Sequence, residues 1–302
     1  AARPDALAAL HRAVAGAVMQ VHRGDALVRR ALAVAQHLRA GGEPERSLPY
    51  TLVGCRRLLG MHLPERARRL LANAKPLFEA PDVPALLRAD FRFLYGLSCE
   101  ATGEYEEGLA VLTAFVEEGQ DAAEPEALPR AWLRLGRIHQ ALGDYDRAQE
   151  GFATARALYE RAGNRRKLAF AVAAIAGLAL ERGNLLAAER RLAEARSLAA
   201  ETGNEGAAVQ VLILAGRLAL KLDRQAEARQ AFADAEVRAA QLGDRRRRAD
   251  ALEGLALAAM AKGYVAEARR WIEESVHLLA RMGDRARLAA AILHLGDLWG
   301  AG

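Results

Sequence analysis

The sequence predicts an all-α fold, a solenoid of antiparallel helix hairpins, and three observations carry that prediction. First, a short turn signal recurs at spacings of 40: Gly103-Glu104-Tyr105, Gly143-Asp144-Tyr145, Gly183-Asn184-Leu185, Asp223-Arg224-Gln225 and Gly263-Tyr264-Val265. Second, another beat falls midway between those turns, at Gly163-Asn164, Gly203-Asn204, Gly243-Asp244 and Gly283-Asp284. Third, the segments between turns are apolar at helical spacing and contain almost no proline, and no alternating Val/Ile-rich stretch marks a strand. Two turns per period make each period a helical hairpin that buries its apolar face on its neighbours. Apolar residues make up 52% of the chain but aromatics only 5%, so Ala and Leu must do the packing.

Taken in order, an N-terminal hairpin is expected over 5–21 and 25–38, ended by Gly41-Gly42-Glu43-Pro44. His62 holds the next inter-helix position, and Pro64-Glu65-Arg66-Ala67 opens the helix after it. From Gly103 onward the register is regular. The unit around Gly143 shows it best. Trp132, Leu135, Ile138 and Leu142 form one apolar stripe, Gly143 ends that helix, and a second helix over 145–159 turns Ala148, Phe152, Ala155 and Leu158 inward. Asn164, Asn204, Asp244 and Asp284 are placed to cap the helices that follow them. A last helix is expected over 284–299. Its stripe of Leu288, Ala289, Ile292, Leu295 and Trp299 has no following partner in the sequence: either it closes the last hairpin from one side only, or the parent chain continues past Gly302 into an additional domain, or another subunit covers it. The whole is expected to be one solenoid over 1–302, about seven hairpins plus that final helix, less regular over 1–82 and regular over 83–302.

Columns of fixed size run through the repeat. Gly96, Gly136, Ala176, Gly216, Ala256 and Gly296 keep one position small, and Ala67, Gly108, Ala148, Ala188, Ala228 and Ala268 keep another. Leu71, Leu112, Phe152, Leu192, Phe232 and Ile272 fill the space beside them. Small residues are needed where helices cross too closely for a large side chain.

Trp132, Leu135, Gly136, Gly143, Tyr145, Ala148, Phe152 and Ala155 resemble the signature of the tetratricopeptide repeat (TPR) family, with His139 at the family's first-helix tyrosine as a packing residue. The family period is about 34 residues. A period of 40 implies longer helices, and such extended units resemble the MalT-like superhelical domains of bacterial signal-transducing regulators. The resemblance implies a right-handed superhelix that mediates protein or effector contacts beside ATPase, kinase or helix-turn-helix modules.

Other classes find little support. Cys55 and Cys99 are the only cysteines, which fits a reducing compartment and a cytoplasmic protein, and no apolar run reaches membrane-spanning length. No Gly-rich phosphate loop, His-Glu-x-x-His segment or compact His/Cys spacing appears, so no enzyme activity, metal or cofactor is expected. Glu106-Glu107 and Glu117-Glu118 read as solvated helix surface.

The family's groove positions, carried onto this chain, give a concave-face candidate set of Phe93, Leu97, Arg130, Leu133, Arg137, Phe170, Ile213, Arg217, Lys221 and Leu257. Its apolar members suit a peptide's apolar side chains, and its arginines suit acidic groups through bidentate pairing. Phe93, Phe170 and Ile213 are equally placed to be core. The lysine and asparagine positions of a carboxylate clamp are not reproduced. A second set, Arg165, Arg166, Arg245, Arg246, Arg247 and Arg248, lies at inter-hairpin loops and forms a candidate basic edge. The expected function is a protein- or peptide-binding scaffold of a bacterial signalling or regulatory protein. The alternatives are a small-molecule effector-sensing domain of a transcription regulator and, behind it, nucleic-acid binding through the basic edge, for which the net charge of +5 is weak support.

Overall fold

In the computed structural model the described residues are 4–118, 126–282, 287–289, 291–293 and 296. Fourteen α-helices run through them: α1 (Pro4–Val21), α2 (Gly24–Ala40), α3 (Leu48–Gly60), α4 (Pro64–Phe78), α5 (Ala85–Thr102), α6 (Tyr105–Glu118), α7 (Ala127–Ala141), α8 (Tyr145–Arg161), α9 (Arg165–Glu181), α10 (Leu185–Glu201), α11 (Glu205–Lys221), α12 (Gln225–Gln241), α13 (Arg245–Met260) and α14 (Val265–Met282). The fold is an all-α solenoid of paired antiparallel helices. It falls into two compact units, Ala1–Ala131 and Trp132–Gly302. Most of the expected last helix, with the Gly283-Asp284 turn, lies outside the described residues. Those of its residues that are described place Leu288 and Ala291 against Ala249 of α13 and Leu279 of α14, and leave Ile292 and Leu293 exposed.

The two-residue turns explain the beat. At Gly163 the backbone has φ +64°, a left-handed conformation that costs glycine nothing. The N–H of Asn164 then donates back to the Tyr159 carbonyl at 3.0 Å, satisfying an orphan acceptor at the end of α8. The Asn164 side chain also accepts from the Lys167 N–H at 3.0 Å, satisfying an orphan donor at the start of α9. One residue therefore closes one helix and opens the next. Asp144, Asn184, Asn204 and Asp244 do the same, each with a backward N–H bond and a forward side-chain cap. Not every turn follows this pattern: before α4 His62 takes φ +58° and Leu63 supplies no side-chain cap, and the turn between α11 and α12 departs in the same way. Asp223 adopts φ +56° without being glycine, and Arg224 supplies no side-chain cap.

The columns are steric. A Cβ on Gly136 would meet Phe152 at 2.5 Å, and one on Gly216 would meet Phe232 at 2.8 Å, so each glycine admits the large residue of its partner helix. Phe232 is fully buried, pressed against Gly216 of α11 on one side and Gly254 of α13 on the other. At Gly151 of α8 the obstacle is backbone rather than side chain. A Cβ there would lie 2.9 Å from the Gly136 Cα and 3.0 Å from the Trp132 carbonyl, both backbone atoms of α7. In the first unit Leu48, Leu52, Leu71, Phe78, Phe91 and Tyr95 form the core, with Phe78 stacked on Phe91 at 4.5 Å.

Candidate functional site

The first helices of successive hairpins pack on one another as well as on their own partners. In the second unit α9 packs on α11 and α11 on α13, and in the first unit α3 packs on α5. Three sides of such a helix are thereby covered, and one stripe is left to solvent. On α11 the 40-residue register places Arg217 and Lys221 in that stripe, both exposed. On α13 the equivalent stripe carries Asp250, Glu253, Leu257 and Met260, with Leu257 50% and Met260 38% exposed. On α9 it carries Phe170, Gly177 and Glu181.

Several candidate residues lie elsewhere. Ile213 is 1% exposed and packs in the core with Phe232 and Leu255, and Leu133 is buried among Phe152, Val172 and Leu168. Phe93 is buried on Phe115, their ring centroids 5.5 Å apart, with the Arg130 guanidinium 4.9 Å from the Phe93 ring. These three apolar side chains fill the interior and offer a partner almost no surface, which corrects their assignment to a binding face. The physical reason is the direction of the column they share at 40-residue spacing, which faces the second helix of its own hairpin: Phe115 of α6 for Phe93, Phe152 of α8 for Leu133 and Phe232 of α12 for Ile213. Leu97 is half-buried against the first unit's core, and Arg137 is half-buried on α7. Phe170 is half-buried against the core, and Arg247 of α13 lies 5.3 Å from its ring. Gly206 lies beside that contact, where a Cβ would touch the Phe170 ring at 3.5 Å and the Arg247 guanidinium at 3.9 Å in ordinary van der Waals contact.

A polar network that the sequence did not reveal sits at the α13 end of the stripe. Arg287 pairs with Asp250 and lies 3.6 Å from Glu253, while the buried Ser275 hydroxyl donates to Glu253 at 3.0 Å. Burial pushes the Glu253 carboxyl above the usual carboxylate range, against the pull of Arg287. The available signal was periodic: Arg287 stands 40 residues after Arg247, in the same column. At the other end Gln140 of α7 donates to Glu181 of α9 at 2.7 Å.

The basic edge is held by local partners. Arg165 pairs with Glu201 and Arg247 with Asp244, while Arg248 bridges Glu236 at 2.7 Å and Glu274 at 2.5 Å. Arg166 donates to the Thr202 carbonyl at 3.4 Å, the Arg246 carbonyl accepts from Arg287, and Arg245 is exposed. Most of these contacts stay within one hairpin, and Arg248 with Glu236 and Arg287 with the Arg246 carbonyl tie neighbouring ones. His139 is half-buried on α7, and burial holds its pKa below the ordinary histidine value despite Asp144 at 3.7 Å. Among the described residues no group of three or more His, Cys, Asp or Glu side chains is placed to hold a metal ion, and no helix is long and apolar enough to cross a membrane.

A tetratricopeptide repeat family model matches residues 129–162, the unit around Gly143. No curated protein matches the chain in sequence. Among solved structures the chain is similar to the apo form of RapI, with a TM-score of 0.69, 12% identity, and coverage of 92% of this chain and 99% of RapI. It is also similar to NprR in complex with its cognate peptide NprX, with a TM-score of 0.68, 14% identity, and coverage of 91% of this chain and 84% of NprR. Aspartyl phosphate phosphatase F from Bacillus subtilis matches with a TM-score of 0.58 at 13% identity, over 93% of this chain and 76% of that one. At these identities the similarity shows the shared fold, a TPR-like helical repeat.

Proposed function

We propose that this chain is a peptide- or protein-binding regulatory module that uses the exposed stripe of α9, α11 and α13. The observation that carries this reading is the stripe itself: Arg217, Lys221, Leu257 and Met260 stand exposed on helices whose other sides are fixed by packing. A rigid scaffold presenting separate cationic and apolar points suits recognition, because little ordering entropy is lost on binding. The similarity to NprR, whose structure holds its cognate peptide, supports the peptide reading. The fold's use within a bacterial signalling or regulatory protein, in the manner of MalT-like superhelical domains, belongs to the same proposal. The likeness to a phosphatase carries no activity to this chain, and the reading remains a non-catalytic one. Nucleic-acid binding is disfavoured, since Arg165, Arg247 and Arg248 already face carboxylates.

The test is affinity capture from lysate of the source organism, comparing the native chain with the Arg217→Glu/Leu257→Asp double variant. Both side chains are exposed, so the variant should keep its helical content and melting temperature. A protein or peptide retained by the native chain and lost by the folded variant is the expected result. Equal retention by both would remove this face from the account.

A further inference from the structure

The exposed stripe has an internal order. Arg217 and Lys221 lie one helical turn apart on α11, so their charges project from the same face. Among the described residues neither stands in an ion pair, although Arg217 exerts an attraction on Glu253, a carboxyl already engaged by Arg287 and Ser275. On the neighbouring α13, Leu257 occupies the register position equivalent to Arg217, and Met260 follows it three residues on. Two large apolar side chains are thus exposed on the helix packed next to the one that carries the two cations. On the opposite flank Gly177 of α9 takes the same register position, and a Cβ there would meet only Leu214, at 3.4 Å and beyond. At that register position α9 offers no side chain to obstruct a chain lying across it, while Phe170 and Glu181 stand on the same stripe toward its two ends.

Packed helices lie about 8–10 Å apart. A peptide in the polyproline II conformation advances about 3.1 Å per residue and returns every third side chain to the same face. A peptide crossing from α11 to α13 in that form therefore takes about three residues to pass from the cations to the apolar pair, with both side chains facing the stripe. We infer that the stripe recognises a linear peptide segment in which an aspartate or glutamate side chain lies three residues from a large apolar side chain, the carboxylate on Arg217 and Lys221 and the apolar group on Leu257 and Met260. Charge complementarity selects the acidic residue. The fork of Arg217 offers two parallel N–H bonds to one carboxylate, and Lys221 adds a second charge-assisted bond. Partial burial of Leu257 and Met260 beneath the apolar side chain adds affinity without a change of backbone. This inference rests on the peptide-binding reading above and specifies its ligand.

The test is selection from a display library of random linear peptides whose C-termini are fused, so that no free terminal carboxylate is presented, against the whole chain. The expected result is enrichment of sequences with Asp or Glu three residues from Leu, Met, Ile or Phe. Their affinity for Arg217→Glu/Lys221→Glu should fall on the order of tenfold or more, and raised salt should weaken binding to the native chain. A synthetic peptide with the spacing changed from three residues to one should also lose affinity. Enriched peptides that lack an acidic residue, or that bind the charge-reversed variant as well as the native chain, would overturn this inference and leave the peptide-binding reading standing. No enrichment at all, with the chain shown folded by its thermal transition, would overturn both.

Discussion

Gly151 offers the sharpest test of how the hairpins are built. Alanine is the better helix former by about 0.5–1 kcal/mol, so Gly→Ala inside a helix normally stabilises. At Gly151 the sign should reverse. The added Cβ would lie 2.9 Å from the Cα and N of Gly136 and 3.0 Å from the Trp132 carbonyl oxygen, where contacts below 3.4 Å are already tight. The shortfall is about 0.5 Å, and it is against backbone, so no side chain can swing aside to relieve it. Helices α7 and α8 must separate, loosening Phe152, which is fully buried between them and the following core. Overpacking of this kind costs about 1–3 kcal/mol, which outweighs the propensity gain. Gly177→Ala is the internal control. It is the same substitution in a helix interior, but its Cβ would meet only Leu214 at an ordinary 3.4 Å, so it should stabilise by about 0.5 kcal/mol or more. Thermal and urea denaturation of both variants reads the difference. A Gly151→Ala protein as stable as the native chain, or more so, would refute the close-crossing explanation of the small columns.

The uncapped turn between α11 and α12 should be improvable: Arg224→Asn supplies the missing N-cap and Asp223→Gly removes a left-handed non-glycine residue, each raising stability by about 1 kcal/mol in denaturant titrations. Asn204 is buried, and it both caps α11 and donates to the Arg166 carbonyl at 2.7 Å, so Asn204→Ala should destabilise by about 2 kcal/mol, and Asn204→Asp, which keeps the cap but loses the donor, should also destabilise. Burial pushes the thiols of Cys55 and Cys99 up to about 12, so both should resist iodoacetamide in the native protein and react only after unfolding, as followed by mass spectrometry. Because the Glu253 pKa is raised in the fold, the folded chain holds that proton more tightly than the unfolded chain, and stability from this group is present at low pH and lost as pH rises through the folded value. Glu253→Gln removes that loss, so its melting temperature relative to the native chain should climb from mildly acid to neutral pH, and a pH-independent difference would contradict the assignment.

The repeat was legible because its causes are local. A Gly-Asn or Gly-Asp pair makes one specific turn, and a Gly opposite a Phe makes one specific crossing, so spacing alone located α8 through α14. The turns at His62 and Asp223 were found only through the periodicity around them, since neither carries glycine, yet both take positive φ. The binding face was less legible. Phe93, Leu133 and Ile213 share columns with solvent-facing positions of shorter repeats, and sequence cannot tell a half-turn of helix rotation that carries such a column inward. The network of Glu253, Ser275 and Arg287 depends on three separate helical segments meeting, which no spacing within one hairpin encodes. The partners of the arginine edge were not legible for a different reason: a run of like charge in sequence says nothing of the carboxylates that adjacent helices bring to it.

The central claim, that the stripe of α11 and α13 is where a partner binds, is tested most directly by covalent footprinting of side chains with and without a peptide taken from the display selection. Lys221 would be probed by acylation and Met260 by oxidation, with Lys262 in the turn after α13 as the exposed reference. Protection of Lys221 and Met260 with Lys262 unchanged is the expected result. Bound peptide that leaves Lys221 and Met260 as reactive as in the free chain would place the binding site elsewhere and contradict the claim.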